Sequence, residues 1–502
     1  MKVRYWFLVL LSVLVLSFGC ENKAPKGVDG SDTDSSALST QDMGINEWVK
    51  NAVIYEVNVR QYTPEGTFAA FSEHLPKLKE LGVDILWFMP IHPIGLKNRK
   101  LDSTSLGSYY AVKDYKAVNP DFGTNEDFQS LVEKCHEMGF KVVLDWVANH
   151  SAPDHHWVDE HPEYYTKDSL GNYPIPPVGT DWWDVADLNY DEPGLRAAMV
   201  DAMKFWVDNY NIDGFRCDVA GEVPLDFWVE ARPQLEKNKK LFMLAEWEDA
   251  EFYKAFDFTY GWHQHHIMNE IIKGEQTVAD WKNLKNETKT GWLGDPTEIE
   301  PWGNFNNQMN FTTNHDENSW NKTVFERFGN AHAAFATMAF TLPGLPLIYS
   351  GQEAAMNKSL RFFEKDTIDW TQDSLRGFYT KLVEIKHNHP SLNIGDNPGS
   401  FKIKEWYDED IFMFERAAEN DTLLIVANLS PKAKGVIVQN PNERIIYTIF
   451  SSFYSTTEPD FQLKVSTPFK KRNIGLGPWE VQVFQVMKPE EIKEENEKDD
   501  EY

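Results

Sequence analysis

Four acidic residues close apolar, β-branched runs of this chain: Asp145 in DWVANH, Asp218 at the end of GFRCD, Glu246 in LAEWED and Asp316 in TTNHDENSW. A buried acid without a partner is costly, so a set of them where apolar runs end implies a use. Arg216 precedes Asp218 by two positions and shares its face of an extended strand, where a charge-assisted hydrogen bond can hold that carboxylate ionised. Glu246 stands among Leu244, Ala245 and Trp247, a more apolar setting that raises a carboxyl pKa. An ionised acid beside a protonated one is what a retaining glycosidase needs, the first to attack an anomeric carbon and the second to protonate the leaving oxygen. On that reading Asp218 is the nucleophile and Glu246 the acid/base. Asp316 stabilises the oxocarbenium-like charge and binds ring hydroxyls, and His150 and His315 are neutral donors to the same sugar. Asp145 joins them as a substrate contact. Any one of these acids serves equally well as the cap of a following helix; four in succession are harder to read that way.

For such acids to converge, the runs carrying them must be neighbouring strands with their C-terminal ends on one side. Eight short apolar or aromatic runs alternate with amphipathic stretches, at 52–59, 83–89, 141–147, 213–218, 241–246, 255–260, 308–314 and 345–350. Parallel strands joined by crossover helices in that number predict a (β/α)8 barrel over 45–394, with its chemistry at the strand C-termini. The stretch 126–139 is one such helix, with Phe128, Leu131, Val132, Cys135 and Met138 on one face and Gly139 as its stop. Residues 148–190 lack helical periodicity and are rich in Pro, Asp, His and Trp, which predicts a short inserted subdomain after the third strand, with the next helix beginning near Pro193. From 395 to 488 alternating runs without helical signal predict an all-β sandwich, and 489–502 is a charged tail.

Composition narrows the partners. The 502 residues hold 49 Lys+Arg against 78 Asp+Glu, and a net charge of -29 repels a phosphate backbone, so nucleic acid is excluded. Aromatics reach 14%, and aromatic faces are what flat, partly apolar ligands such as sugar rings stack on. Cys20, Cys135 and Cys217 lie far apart, with no disulfide framework or zinc spacing. Lys2 and Arg4 followed by an apolar run to Phe18, then Gly19 and Cys20, predict a signal peptide over 1–20. Gly-Cys at its end resembles a bacterial lipoprotein signal, which implies an exported protein anchored by lipid at Cys20. The polar stretch 21–44 is then a flexible tether, and the expected location is the outer membrane of a Gram-negative bacterium, with glycan-uptake components as partners.

The motifs DWVANH (145–150), ADLNY (186–190), GFRCDVA (214–220), LAEWED (244–249), TTNHDE (312–317) and GLPLIYSGQE (344–353) stand in this order, and with them the chain resembles the α-amylase family of glycoside hydrolases over about residues 46–488. The resemblance implies the same roles for Asp218, Glu246 and Asp316. It adds Arg216, His150 and His315 as contacts to the sugar at the cleavage point, and Tyr110 in SYYAVKDY as the aromatic on which that sugar stacks. It implies an α-glucan substrate, cut at α-1,4 bonds as in starch, glycogen or maltooligosaccharides, with cyclomaltodextrinase-like or transglycosylating action as alternatives and no organic cofactor. Asn149 and Asp187 match the family's calcium-ligand positions, although Asn149 suits a loop hydrogen bond equally. Gly221 and Glu222 stand where the family often carries a Lys-His pair. A glucan-binding protein without activity would have lost one of the three acids, and all three are present.

Overall fold

Each of the eight runs contains a parallel strand: β1 (Ile54–Val57), β2 (Ile85–Phe88), β3 (Lys141–Trp146), β4 (Gly214–Cys217), β5 (Phe242–Ala245), β6 (Phe258–Tyr260), β7 (Gln308–Asn310) and β8 (Leu345–Tyr349). They pair in chain order, and β1 closes on β8 with Tyr55 opposite Ile348, making a closed (β/α)8 barrel. The computed structural model describes residues 45–100, 104–283, 307–439, 445–452 and 468–487, with the backbone alone of 287–290 and 296–299. The expected signal peptide 1–20 with its Cys20 anchor, the tether 21–44 and the tail 489–502 lie outside the described residues.

The two-residue period of a strand sorts these side chains. Ile54, Ile85, Val143, Phe242, Leu244, Phe258, Met309, Leu345 and Leu347 form one buried cluster that fills the barrel. Two positions further along, on the same inward face, stand Glu56 in β1, Trp87 in β2 and Asp145 in β3, while Arg216 follows Gly214 in β4 and Tyr260 follows Phe258 in β6. The alternate set, including Tyr55, Leu86, Phe88, Val142, Leu144, Phe215, Cys217, Met243 and Ile348, is buried outward in the cluster shared with the helices. Cys217 and Cys135 are thus buried packing thiols. Gly214 tolerates no side chain: a Cβ there would come within 2.0 Å of the Phe242 carbonyl oxygen on β5.

The helix Asn125–Glu137 begins with a capping box between Thr124 and Asp127, buries Phe128, Leu131, Val132 and Cys135, and is followed by Gly139 at φ 85°. Proline starts the 18-residue helix Pro193–Tyr210, which Asn211 ends in the left-handed region. Between β3 and that helix the inserted segment is organised on a two-residue ladder, His150–Ser151 against Ala186–Asp187.

Beyond the barrel, Ser400–Lys404, Ile411–Ala418, Asp421–Asn428, Glu480–Met487 and Ile445–Ser451 form a five-stranded antiparallel sheet in that spatial order, and Lys434–Gln439 pairs with Lys471–Leu476. The sheet and the two-stranded ladder enclose Met413, Val426, Val436, Ile474 and Phe484 as a small core. The other sheet face, with Phe412, Phe414 and Ile425, joins the helix cluster of the barrel. Buried Arg416 donates there to the carbonyl of Thr341 at 3.1 Å. Among the described residues no helix is long and apolar enough to cross a membrane.

Candidate active site

The inward-facing polar positions at the strand ends meet around one guanidinium. Arg216 is fully buried; its Nη1 donates to Asp145 Oδ1 at 2.8 Å and to Asp218 Oδ1 at 2.9 Å, and its Nε to the Tyr260 hydroxyl at 2.9 Å. Its Nη2 lies 2.8 Å from Glu246 Oε1, an ion pair that lacks the angle of a hydrogen bond. The guanidinium also sits 5.0 Å from the Trp87 ring centroid. Arg216 therefore serves three carboxyls, where the sequence pairs it with only one of them, Asp218. The main-chain N–H of Val219 donates to Glu246 Oε2 at 2.9 Å, and Val219 itself holds a left-handed φ of 34°, a strained conformation for a β-branched residue.

These surroundings set the protonation states. Burial pushes Asp218 up to about 6, against the pull of Arg216 and with a push from Asp145. Burial pushes Glu246 further, up to about 8, opposed by Arg216 and reinforced by Asp218 and Asp316. Asp145 is likewise raised by burial to about 6, with Arg216 and His315 opposing. Near neutrality the same arginine thus holds two mostly ionised carboxyls, Asp145 and Asp218, and one mostly protonated, Glu246.

Tyr110 and His315 complete the inner wall. The Tyr110 hydroxyl donates to Asp145 Oδ2 at 3.1 Å and lies 2.7 Å from His315 Nε2. His315 Nδ1 is 2.5 Å from Glu56 Oε1. Burial alone would lower the His315 pKa, but Asp316 and Glu56 outweigh it and raise it to about 9. A protonated ring with Glu56 on one nitrogen and Tyr110 on the other corrects the expectation of a neutral donor at His315, because both N–H groups are engaged inside the protein. His150 is the reverse case: burial drives it down to about 3, so it is neutral, with Nδ1 3.3 Å from Asn149 Nδ2 and its ring 5.7 Å from that of Trp182. Asp316 is the most open of the acids, with 38% of its side chain exposed; its Oδ2 lies 3.4 Å from His315 Nε2, and its Oδ1 accepts from Trp320 Nε1 at 3.2 Å.

Tyr110, Asp145, Arg216 and His315 are thus joined by direct contacts to Asp218, Glu246 and Asp316, whereas the contacts of His150 are to Asn149 and Trp182. Glu56, Trp87 and Tyr260 were missed; the signal for Glu56 was a lone acid inside the apolar run AVIYEVNV.

Asn149 and Asp187 are brought beside each other by the ladder, in which His150 pairs with Asp187. Burial raises the Asp187 carboxyl. Both residues offer oxygen ligands of the kind calcium takes, and among the described residues no group of three or more His, Cys, Asp or Glu side chains gathers as a metal cage.

A family model described as the α-amylase catalytic domain matches residues 28–177 and 180–388. Among curated proteins the chain is similar to the α-amylase MalA of Haloarcula japonica, with 28% identity over 418 residues; the match covers 80% of this chain and spans 59% of that relative. Among solved structures it is similar to an α-amylase from Lactobacillus plantarum, with 30% identity, a TM-score of 0.70 and coverage of 87% of this chain and 99% of the other. A maltogenic α-amylase, AmyB of Thermotoga neapolitana, aligns with 27% identity and a TM-score of 0.70 over 88% of this chain and 98% of its own.

Proposed function

The chain belongs to the α-amylase family of glycoside hydrolases, and from that premise we propose that it is a retaining α-glucan hydrolase cutting α-1,4 bonds of starch, glycogen or maltooligosaccharides. The observation that carries the reading is the pair Asp218 and Glu246 bridged by Arg216 and pushed to different pKa values. In the first step an Asp218 oxygen attacks the anomeric carbon as the glycosidic C–O bond breaks, and the Glu246 proton passes to the departing oxygen. The covalent glycosyl-aspartate then loses its sugar to water, whose proton returns to Glu246, so the enzyme is regenerated. Asp316, beside the charged His315, faces the positive charge that develops on the ring. Asp145, tied to Trp87, Tyr110 and Arg216, orients hydroxyls of the same sugar, with neutral His150 as a further donor.

The test is reducing-sugar release with product sizing on amylose, pullulan, β-cyclodextrin and maltoheptaose, comparing the wild type with Asp218→Asn. Activity on amylose that the substitution abolishes is the expected result. Release from pullulan or cyclodextrin in preference to amylose would shift the reading to the cyclomaltodextrinase-like alternative, and products longer than the maltoheptaose supplied would shift it to transglycosylation.

We also propose export and lipid anchoring at Cys20 in the outer membrane, as a component of a glycan-uptake system. The support is the basic start, apolar run and Gly19-Cys20 of the sequence. Processing that is insensitive to globomycin, or unaffected by Cys20→Ser, would remove that proposal.

A further inference from the structure

An exposed tryptophan beside a catalytic acid offers a flat, partly apolar face on which a sugar ring can stack. Trp320 is 55% exposed. It ends the helix His315–Trp320 one turn beyond Asp316, and its Nε1–H donates to Asp316 Oδ1 at 3.2 Å. Its ring lies 5.2 Å from Phe362 and 5.9 Å from Phe363. Phe362 in turn lies parallel to Tyr110, 6.2 Å apart at 10°. Tyr110 reaches Asp145 and His315. A continuous aromatic surface therefore runs from the centre of the site outward to Trp320, over partly exposed Phe362 and Phe363.

We propose that Trp320 is a specificity-determining and positioning residue: its indole face binds the glucosyl unit next to the one held at Asp316, on the glycone side of the cleaved bond, while its N–H fixes the Asp316 carboxylate. The inference rests on the proposed reading of Asp316 as a contact to the glycone. The side follows from contacts: Trp320 is tied to Asp316 and, through Phe362, to Tyr110, both read as glycone contacts. Trp320, Phe362 and Phe363 stand after β7 and β8, whereas the proton donor for the leaving group, Glu246, stands after β5. A pyranose offers an apolar C–H face to an indole, and the hydroxyls at its edge remain free for water and the acid beside it.

The two roles separate by substitution. Trp320→Phe keeps an aromatic face and loses the N–H, so kcat is expected to fall about fivefold, the scale of one hydrogen bond, on both maltoheptaose and α-glucosyl fluoride, with KM within about twofold of wild type on each. Trp320→Ala loses both, so KM for maltoheptaose is expected to rise about tenfold, while KM for α-glucosyl fluoride, which fills only the glycone position at the cleaved bond, stays within about twofold. Folding of each variant is followed by thermal melting. Two variants that melt like the wild type and match its kcat and KM on both substrates would overturn the proposal, as would an equal rise in KM on the two substrates. Asp316→Asn is the control: if it is inactive while the Trp320 variants match wild type, the reading of Asp316 stands and this proposal falls. If Asp316→Asn keeps wild-type kcat, the reading itself fails.

Discussion

His315 and Glu56 form an ion pair, Nδ1 to Oε1 at 2.5 Å, between two side chains removed from water, one from the first barrel strand and the other from the segment after the seventh. The pair spans the seam at which the barrel closes and charges the histidine that flanks Asp316 and Tyr110.

That pair sets a pH dependence of stability whose sign is fixed. Burial lowers the His315 pKa, yet Asp316 and Glu56 raise it to about 9 in the folded chain, above the ~6.5 of a free histidine. Its contribution is therefore complete below about pH 6.5 and lost as pH rises through about 9. Glu56→Gln removes one of the raising charges. The expected loss of unfolding free energy is ~2 kcal/mol near pH 6, shrinking towards pH 9, as followed by urea unfolding; an equal loss at both ends of that window would contradict the assignment.

Activity should show a bell. Asp218 must lose its proton and Glu246 must keep its own, and burial raises the first to about 6 and the second to about 8. The expected kcat/KM profile on maltoheptaose has an acid limb near 6 and an alkaline limb near 8, both belonging to the coupled pair. A profile still rising at pH 9 would exclude Glu246 as the proton donor.

Glu246→Gln removes the proton donor without changing the shape of the side chain. Turnover of maltoheptaose is expected to fall about 10²- to 10⁴-fold, whereas α-glucosyl fluoride, whose leaving group needs little protonation, should lose far less in its first step. Comparing initial bursts on the two substrates checks this, and equal losses would point to a structural role for the glutamate.

Gly221 is a packing requirement. A Cβ at that position would stand 2.0 Å from Trp247 Cδ2 and 2.1 Å from Cε2, so Gly221→Ala must displace the indole that follows the acid/base. The expected cost is ~1–3 kcal/mol of stability, read from the shift in the urea midpoint, with a lowered kcat. A variant as stable and active as the wild type would show that Trp247 moves freely.

Much of this was legible because the barrel's own alternation announces it. The apolar runs located all eight strands, and three of the four acids closing them, Asp145, Asp218 and Glu246, meet at Arg216. The charge on His315 was not legible, since it depends on Glu56, 259 positions away in the chain and without a motif of its own. Two strands of the C-terminal sheets, Ser400–Lys404 and Lys471–Leu476, carry little signal of their own. Both interleave lysine or arginine with few apolar residues, as strands with a solvent-facing side do, and so offer no hydrophobic run to read.

The stacking of a polar layer on an apolar plug inside the barrel gives each strand a reading frame of two. Replacing one inward residue leaves the facing of its neighbours unchanged, but inserting or deleting a single residue ahead of Arg216 would turn its guanidinium towards the helices and Phe215 into the mouth. Variation in this protein is therefore expected to enter by substitution along the strands and by changes of length only in the loops beyond their ends.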